Sequence, residues 1–243
     1  MKLLSVLFTL LLVGCSSQQS EWKELFDGKT LSGWDGDPKF WSVQDGAITG
    51  ITTAENPTKG NTFLIFTDAN GDNKPVQYSD FEIKIQYKIP TGNSGLQYRS
   101  FPRPGGADRW RVAGYQADFD ADRKWAGINY GEGFRGILAK RGESSVISGT
   151  KKNAKGREIP IMETTKIGDA TELQKSIKAA PEWNELHVIA KGNVLIHKIN
   201  GVVMCKLTDN DKNRRMSGFI ALQLHQGPPM KMQVRSVKIK ELK

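Results

Sequence analysis

Residues 114–125 read GYQADFDADRKW, with Asp118, Asp120 and Asp122 at every second position. Side chains of an extended strand alternate between faces, so residues i, i+2 and i+4 share one face. Gln116 extends this polar row backwards, while Tyr115, Ala117 and Phe119 turn the other way, toward a core. An amide followed by carboxylates can hold sugar hydroxyls, which need paired donors and acceptors, and can move protons as general acid or base. The competing reading is an acidic surface turn or a Ca2+-binding loop. A merely solvated strand face in a chain this basic would mix Lys, Thr and Glu.

Two further segments offer matching rows. In residues 93–100 (NSGLQYRS), Leu96 and Tyr98 form the core face, and Gly95, Gln97 and Arg99 the opposite one. In residues 218–225 (GFIALQLH), Ile220, Leu222 and Leu224 turn to the core, and Ala221, Gln223 and His225 turn away. As neighbours in one curved sheet, the three strands would pool Gln97, Arg99, Gln116, Asp118, Asp120, Gln223 and His225 in a single groove. Trp110, Trp125 and Tyr130 fall in adjacent loops and suit stacking on sugar faces. Gly227-Pro228-Pro229 is a rigid turn that would present Lys231 near the end of the groove. Structural alternatives stand beside these roles. Arg99 can pair with Asp118 across strands, His225 can bond backbone at a strand end, and Gln97 and Gln223 can be solvated. His187, beside Glu185 and Ile189, and His197, beside Leu195 and Ile199, read as structural. Trp34, Trp41 and Trp183 read as core or rim packing.

The elements that must position these groups are strands. Residues 81–89 (FEIKIQYKI) alternate cleanly, with Phe81, Ile83, Ile85, Tyr87 and Ile89 on one face. Residues 185–191, 194–200 and 202–207 read as successive antiparallel strands, turned by Asn193 and Asn200-Gly201. Residues 219–225 and 232–241 supply two more, and residues 41–48 a hairpin around Asp45-Gly46. Only residues 171–178 (TELQKSIK) have helical character, and Pro181 stops them. Residues 141–166 are polar and rich in Gly and Lys, and read as a long loop or irregular hairpin over one sheet edge. Many short strands with Gly, Asn and Asp turns imply an all-β sandwich. There is no internal repeat and no domain linker.

The chain has 243 residues and a formal net charge of +9. Its first segment, MKLLSVLFTLLLVGC, carries Lys2, an apolar run and Gly14-Cys15. That pattern is a secretory signal too short to span a bilayer. The LVGC ending predicts a bacterial lipoprotein signal over residues 1–14, with Cys15 lipidated and residues 15–20 a polar tether. Residues 21–243 are then one domain, exported and lipid-anchored to the cell envelope, facing the periplasm or the outer surface. Removing residues 1–14 deletes Lys2 and no acid, so the charge falls from +9 to +8. The basic residues are scattered apart from Lys151, Lys152, Lys155 and Arg157, and an exported lipoprotein predicts no nucleic-acid partner. Cys205 is the only cysteine left after lipidation, which excludes an intrachain disulfide; it lies in an apolar run and reads as a buried strand residue.

Taken together, LFDGKTLSGW (25–34), WSVQDGAITG (41–50), SDFEIKIQYKIPTGNSGLQYRS (79–100), GYQADFDA (114–121), EWNELHVIAKGNVLIHKINGV (182–202) and IALQLHQGPPMKMQVRSVKIKEL (220–242) resemble the 3-keto-disaccharide hydrolase family. The resemblance covers nearly all of residues 25–242. It implies a concanavalin A-like jelly-roll sandwich of two antiparallel sheets with one short helix. The implied activity is cleavage of glycosides already oxidised to a ketone at C3. That ketone acidifies the C2 proton; a base removes it, and the C1 substituent leaves by elimination, with or without later hydration. Such a site needs a base, a group for the enolate oxygen and an acid for the leaving oxygen. The expected roles are His225 or Asp118 as base, Arg99 at the enolate, and Asp120 as acid or hydroxyl ligand. Gln97, Gln116 and Gln223 would orient the sugar, with Trp125 and Tyr130 near the leaving-group site and Lys231 a weaker oxyanion ligand. A divalent metal on Asp118, Asp120 and His225 is a further expectation. Two alternatives stay open: an ordinary jelly-roll glycosidase, and a non-catalytic glycan-binding module.

Overall fold

The structure, a computed structural model, describes residues 21–68, 74–103 and 108–243. The predicted signal peptide, Cys15 and the tether to residue 20 lie outside the described residues. The strands are β1 (Lys23–Glu24), β2 (Trp34–Asp35), β3 (Trp41–Gln44), β4 (Ala47–Ile51), β5 (Thr62–Phe66), β6 (Phe81–Thr91), β7 (Asn93–Pro102), β8 (Val112–Asp120), β9 (Asn129–Glu132), β10 (Gly136–Ala139), β11 (Glu143–Lys152), β12 (Glu158–Lys166), β13 (Asn184–Lys191), β14 (Val194–Ile199), β15 (Val202–Asp209), β16 (Phe219–Leu224) and β17 (Lys231–Glu241). They form two sheets. One is ten-stranded in the order β12-β11-β15-β14-β13-β6-β17-β4-β3, with β1 on β17. The other runs β10-β9-β8-β7-β16-β5-β2. The jelly-roll sandwich is therefore as expected, and the N-terminal β1 closes on the C-terminal β17, Lys23 opposite Ile239.

Strict alternation on β6 gives the burial pattern that the sequence shows: Phe81, Ile83, Ile85, Tyr87 and Ile89 are buried and the residues between them half-buried. From the other sheet, Leu96, Tyr98, Tyr115, Ala117 and Phe119 face them in one core. Tyr87 stacks on Phe119 with ring centroids 4.2 Å apart, and Tyr98 on Tyr115 at 5.7 Å. Each such side chain contributes about 1.5–3 kcal/mol by leaving water. Cys205 is fully buried in the strand run, as expected.

His197 is a core histidine. Its Nδ1 lies 3.1 Å from the Ile128 carbonyl, which can only accept, so Nδ1 carries the proton and Nε2 accepts from the Tyr98 hydroxyl at 2.7 Å. Burial pulls its pKa down to about 4, which keeps the ring neutral. His187 is also structural, 2.8 Å from Glu82.

Two local expectations become more definite. The helical stretch yields a short α1 (Ala170–Gln174), capped by Asp169, whose Oδ1 accepts from the N–H groups of Thr171 and Glu172. Lys175, Ser176 and Ile177 then close bonds to carbonyls three residues back, so the periodicity that suggested residues 171–178 continues as tighter turns. Of the two forms expected for residues 141–166, the structure has the hairpin at the sheet edge, β11–β12, with one bulge between Ile147 and Gly149; β11 also pairs parallel to β15. Among the described residues no helix is long and apolar enough to cross a membrane.

Candidate functional site

The three polar rows do meet: β8, β7 and β16 are neighbours, with β7 in the middle. Gln97 sits opposite Gln116 on β8 and opposite Ala221 on β16. Over the β8–β9 side of this face lies a cleft of about 1020 Å³, its walls including Gln116, Asp118, Tyr130, Glu132 and His225. The tip of the β11–β12 hairpin, a part of the opposite sheet, supplies a further wall through Asn153, Arg157, Glu158 and Ile159. A smaller lobe of about 320 Å³ shares Asn93, Trp125, His225 and Gln226 with the first and adds Asp120 and Asp122.

The floor is an amide relay with one consistent direction. Gln97 Nε2 donates to Gln116 Oε1 (2.9 Å). Gln116 Nε2 donates one hydrogen to Asp118 Oδ1 (2.7 Å) and one to Gln223 Oε1 (3.2 Å). Gln223 Nε2 in turn donates to Glu132 Oε2 (3.4 Å), and Asn61 Nδ2 to Glu132 Oε1 (3.2 Å). The donors therefore run one way, from amide to amide and on to a carboxylate. The relay ends on two acids, Asp118 and Glu132, and holds both in fixed orientations. Burial drives the Asp118 pKa well above the ordinary aspartate value; the Gln116 hydrogen bond opposes that shift, and the nearby charges of Glu132 and Asp120 add to it. Burial and the same acids, Glu132 and Asp118, also raise the Tyr130 pKa, so its phenol stays an O–H donor.

Gly95 is the packing condition for this floor. It lies opposite Asp118, and a Cβ there would stand 2.5 Å from Gln116 Cγ and 2.6 Å from Cδ. Gln116 has no slack to give, since its amide is bonded on both sides. Gly95→Ala is expected to cost about 1–3 kcal/mol of stability through overpacking. It should also lower kcat/KM by more than tenfold, roughly the effect of misplacing a positioned group. Urea denaturation beside steady-state kinetics measures the two; unchanged kinetics would remove Gln116 from the site.

The structure keeps Gln116, Asp118, Trp125, Tyr130 and His225 at the cleft and relocates the others. Arg99 does not face it. A bulge sets Tyr98 opposite Tyr115 but Phe101 opposite Ala113, so Arg99 and Ser100 share Gly114 as partner. Arg99 adopts φ +45°, and Gly114 takes φ +148° where a Cβ would lie 2.8 Å from Ser100 Cα. Ser100 resumes the groove face, its Oγ donating to Gln97 Oε1. The Arg99 guanidinium is instead buried, donating to the Ser79, Gly192 and Arg215 carbonyls and to Asp80. It is a structural arginine, though its partner is Asp80 and not Asp118.

Asp120 is committed to backbone. Its Oδ1 accepts from Trp125 and Ala126 and its Oδ2 from Lys124, which folds the turn that carries Trp125. It borders only the smaller lobe, and its expected role as acid gives way to positioning. Gln97 and Gln223 are wholly buried behind Gln116 and orient the acids, not the sugar. Lys231 opens β17 in the ten-stranded sheet, opposite Ile51 and Thr91, and lines neither lobe, although Met230 before it borders the smaller one. Trp110 is likewise elsewhere, donating to Asp35. Trp34 and Trp41 are buried in the core, and Trp183 lies at the rim beneath Lys88 and Arg235. The expected metal set does not form. With Asp120 occupied, no group of three His, Cys, Asp or Glu side chains is placed to hold an ion among the described residues.

Glu132 is the functional candidate that the sequence reading missed. It follows Tyr130 by two positions on β9, so the alternation that places Tyr130 in the cleft places Glu132 beside it. Arg103 and Arg157 also enter, from the far end of β7 and from the hairpin tip.

Solved structures share the fold. A protein from Parabacteroides distasonis ATCC 8503 described as a "putative glycosyl hydrolase" superimposes with TM-score 0.54 at 19% identity, covering 91% of this chain and 94% of that one. The carbohydrate-binding module CBM66 from Bacillus subtilis does so with TM-score 0.52 at 14% identity, covering 86% and 96%. Alginate lyase A1-II', a member of polysaccharide lyase family 7, gives TM-score 0.52 at 12% identity, covering 90% and 100%. No curated protein sequence matches the chain. At these identities the neighbours establish the sandwich alone, and the family rests on the sequence. The profile of the 3-keto-alpha-glucoside-1,2-lyase-like domain matches residues 21–240, the whole of both sheets but for the last residue of β17, and the chain belongs to that family.

Proposed function

We propose that the protein is a carbohydrate-active enzyme that cleaves 3-keto-glycosides by C2 proton abstraction and elimination of the C1 substituent. The observation that carries this reading is Asp118: a buried carboxyl with a raised pKa on the floor of a polar cleft, oriented by an amide relay that also serves Glu132. A carboxyl whose burial favours its protonated form suits donation to the leaving oxygen. His225, exposed where the two lobes join, is the base at C2. The Tyr130 hydroxyl takes the position first assigned to Arg99, donating to the C3 enolate oxygen. The C2–H electron pair becomes the C1=C2 bond as the C1–O bond breaks. His225 gains a proton and Asp118 loses one, and exchange with water resets both. Trp125, presented by the Asp120-bonded turn, offers a face for a ring. Export and anchoring through Cys15 belong to the same proposal, supported by the LVGC segment.

The test is nitrophenol release from 3-keto and unoxidised forms of one nitrophenyl glucoside. Release from the 3-keto form alone is expected. Chelator treatment should leave the rate unchanged, because Asp120 already accepts three backbone N–H groups and no three potential ligands stand together among the described residues. Release from the unoxidised form would establish an ordinary glycosidase. Release from neither, across both anomers and several aglycones, would leave a glycan-binding module.

A further inference from the structure

The basic cluster of the sequence has a defined place in the fold. Lys151 and Lys152 end β11, and Lys155 and Arg157 lie in and just after the turn that leads to β12. Asn153 fixes the shape of that turn: its Oδ1 accepts from the N–H groups of Lys155 (2.9 Å) and Arg157 (3.0 Å). Its own N–H donates to the Arg157 carbonyl (2.9 Å). Among the described residues, none of the four cations enters an ion pair. Unpaired lysines on a surface are ordinary. An unpaired guanidinium on the wall of a cleft is not, and Arg157 lines the large lobe.

A second guanidinium meets the same space. Arg103 lines the large lobe, its Nη1 only loosely engaged, 4.0 Å from Glu132 Oε1. The Tyr130 phenol lies within electrostatic reach of Arg157 and Arg103 as well as of Glu132 and Asp118. The two cations therefore stand close to the two acids, within one lobe. Glu158 and the Asp209-paired Arg135 also line this lobe, so its charges balance overall, while the smaller lobe sets Asp120 and Asp122 against Lys124. An uncharged sugar gives no reason for two guanidinium groups on one lobe without a close ion pair. A substrate with an acidic group does, since guanidinium groups bind carboxylate, sulfate and phosphate oxygens in paired hydrogen bonds.

We infer that the large lobe selects glycosides whose substituent beyond the scissile bond carries an anionic oxygen group, bound between Arg157 and Arg103, with the hairpin lysines drawing it in. The substrate side of this inference rests on the 3-keto-glycoside reading. The anion preference is a binding property of the lobe and is measurable without turnover.

The test uses the unoxidised glucosides of 4-hydroxybenzoate, 4-hydroxybenzenesulfonate and the neutral 4-hydroxybenzamide, titrated by calorimetry. Hydrogen bonds to charged groups predict that at least one anion binds about 10- to 100-fold more tightly than the amide at low salt. That margin should shrink in 0.5 M NaCl, a salt concentration at which charges are screened beyond roughly 4–5 Å. It should fall to near one in Arg157→Gln. Preference for the carboxylate alone points to a uronate-like group; preference for the sulfonate alone points to a sulfate or phosphate ester. Equal affinity for all three ligands, or a preference that survives in both Arg157→Gln and Arg103→Gln, overturns the inference. The 3-keto forms of the same glucosides separate the two proposals. Anion preference without cleavage would leave the lobe assignment standing and remove the 3-keto reading; cleavage without preference would do the reverse.

Discussion

Asp118→Asn is expected to lower kcat/KM on a 3-keto-glucoside by about 10²- to 10⁴-fold, the contribution of a positioned proton donor, and to leave the folded protein at least as stable at neutral pH. The amide keeps an oxygen that can accept from Gln116 Nε2, so the relay persists while the transferable proton is lost. The stability half follows from linkage. The folded pKa of Asp118 lies well above its ordinary value of 3.8. Between 3.8 and that raised value the folded chain holds a proton that the unfolded chain has released. The stabilisation is therefore complete below 3.8 and is lost as pH rises through the window. Asparagine does not titrate, so the variant should lack this decline. Melting temperatures of both proteins at pH 4.5 and pH 7.5, beside their kinetics, report both effects. A variant within tenfold of wild-type activity would move the acid's role to Glu132.

Arg99→Met is expected to do the opposite, lowering stability by about 3 kcal/mol while the folded fraction keeps wild-type kcat/KM within about threefold. Among the described residues the guanidinium is the only partner shown for the carbonyls of Ser79, Gly192 and Arg215, and it shares Asp80 Oδ1 with the Gly192 N–H. Breaking a fully buried charge pair costs about 3–5 kcal/mol. Asp80 is a third exposed and regains water, which places the loss at the lower end. For a domain of this size that corresponds to a drop of about 6–12 °C in Tm. Urea denaturation gives the stability, and rates corrected for the folded fraction give the activity. A hundredfold fall in kcat/KM with folding intact would return Arg99 to the chemistry.

The fold was legible because alternation on long strands leaves little choice. The pattern of β6 predicts its burial residue by residue, and the three polar rows had to meet if their strands were neighbours, as they are. Alternation fails where the chain inserts a residue. Nothing in NSGLQYRS announces the bulge after Tyr98, and the rule carried past it puts Arg99 on the wrong side. Ser100 in fact resumes the row. Glu132 escaped because β9 is four residues long and gives too short a period to recognise. The amides escaped for another reason. Their residue types suit a ligand and a relay equally, and only the direction of each N–H shows that Gln97 and Gln223 serve the acids.

The cleft is assembled from parts with unequal freedom to vary. Its floor is woven into three central strands, where one added methyl at Gly95 meets Gln116. The wall that carries Arg157 is the tip of a hairpin at the rim of the other sheet, anchored through β11 on β15 and through Thr150 on Asp211, its turn residues exposed. Residues can be gained or lost at such a tip with little thermodynamic consequence. On the proposed function, lengthening, trimming or recharging one loop would change which leaving groups are admitted and leave the floor of the cleft untouched.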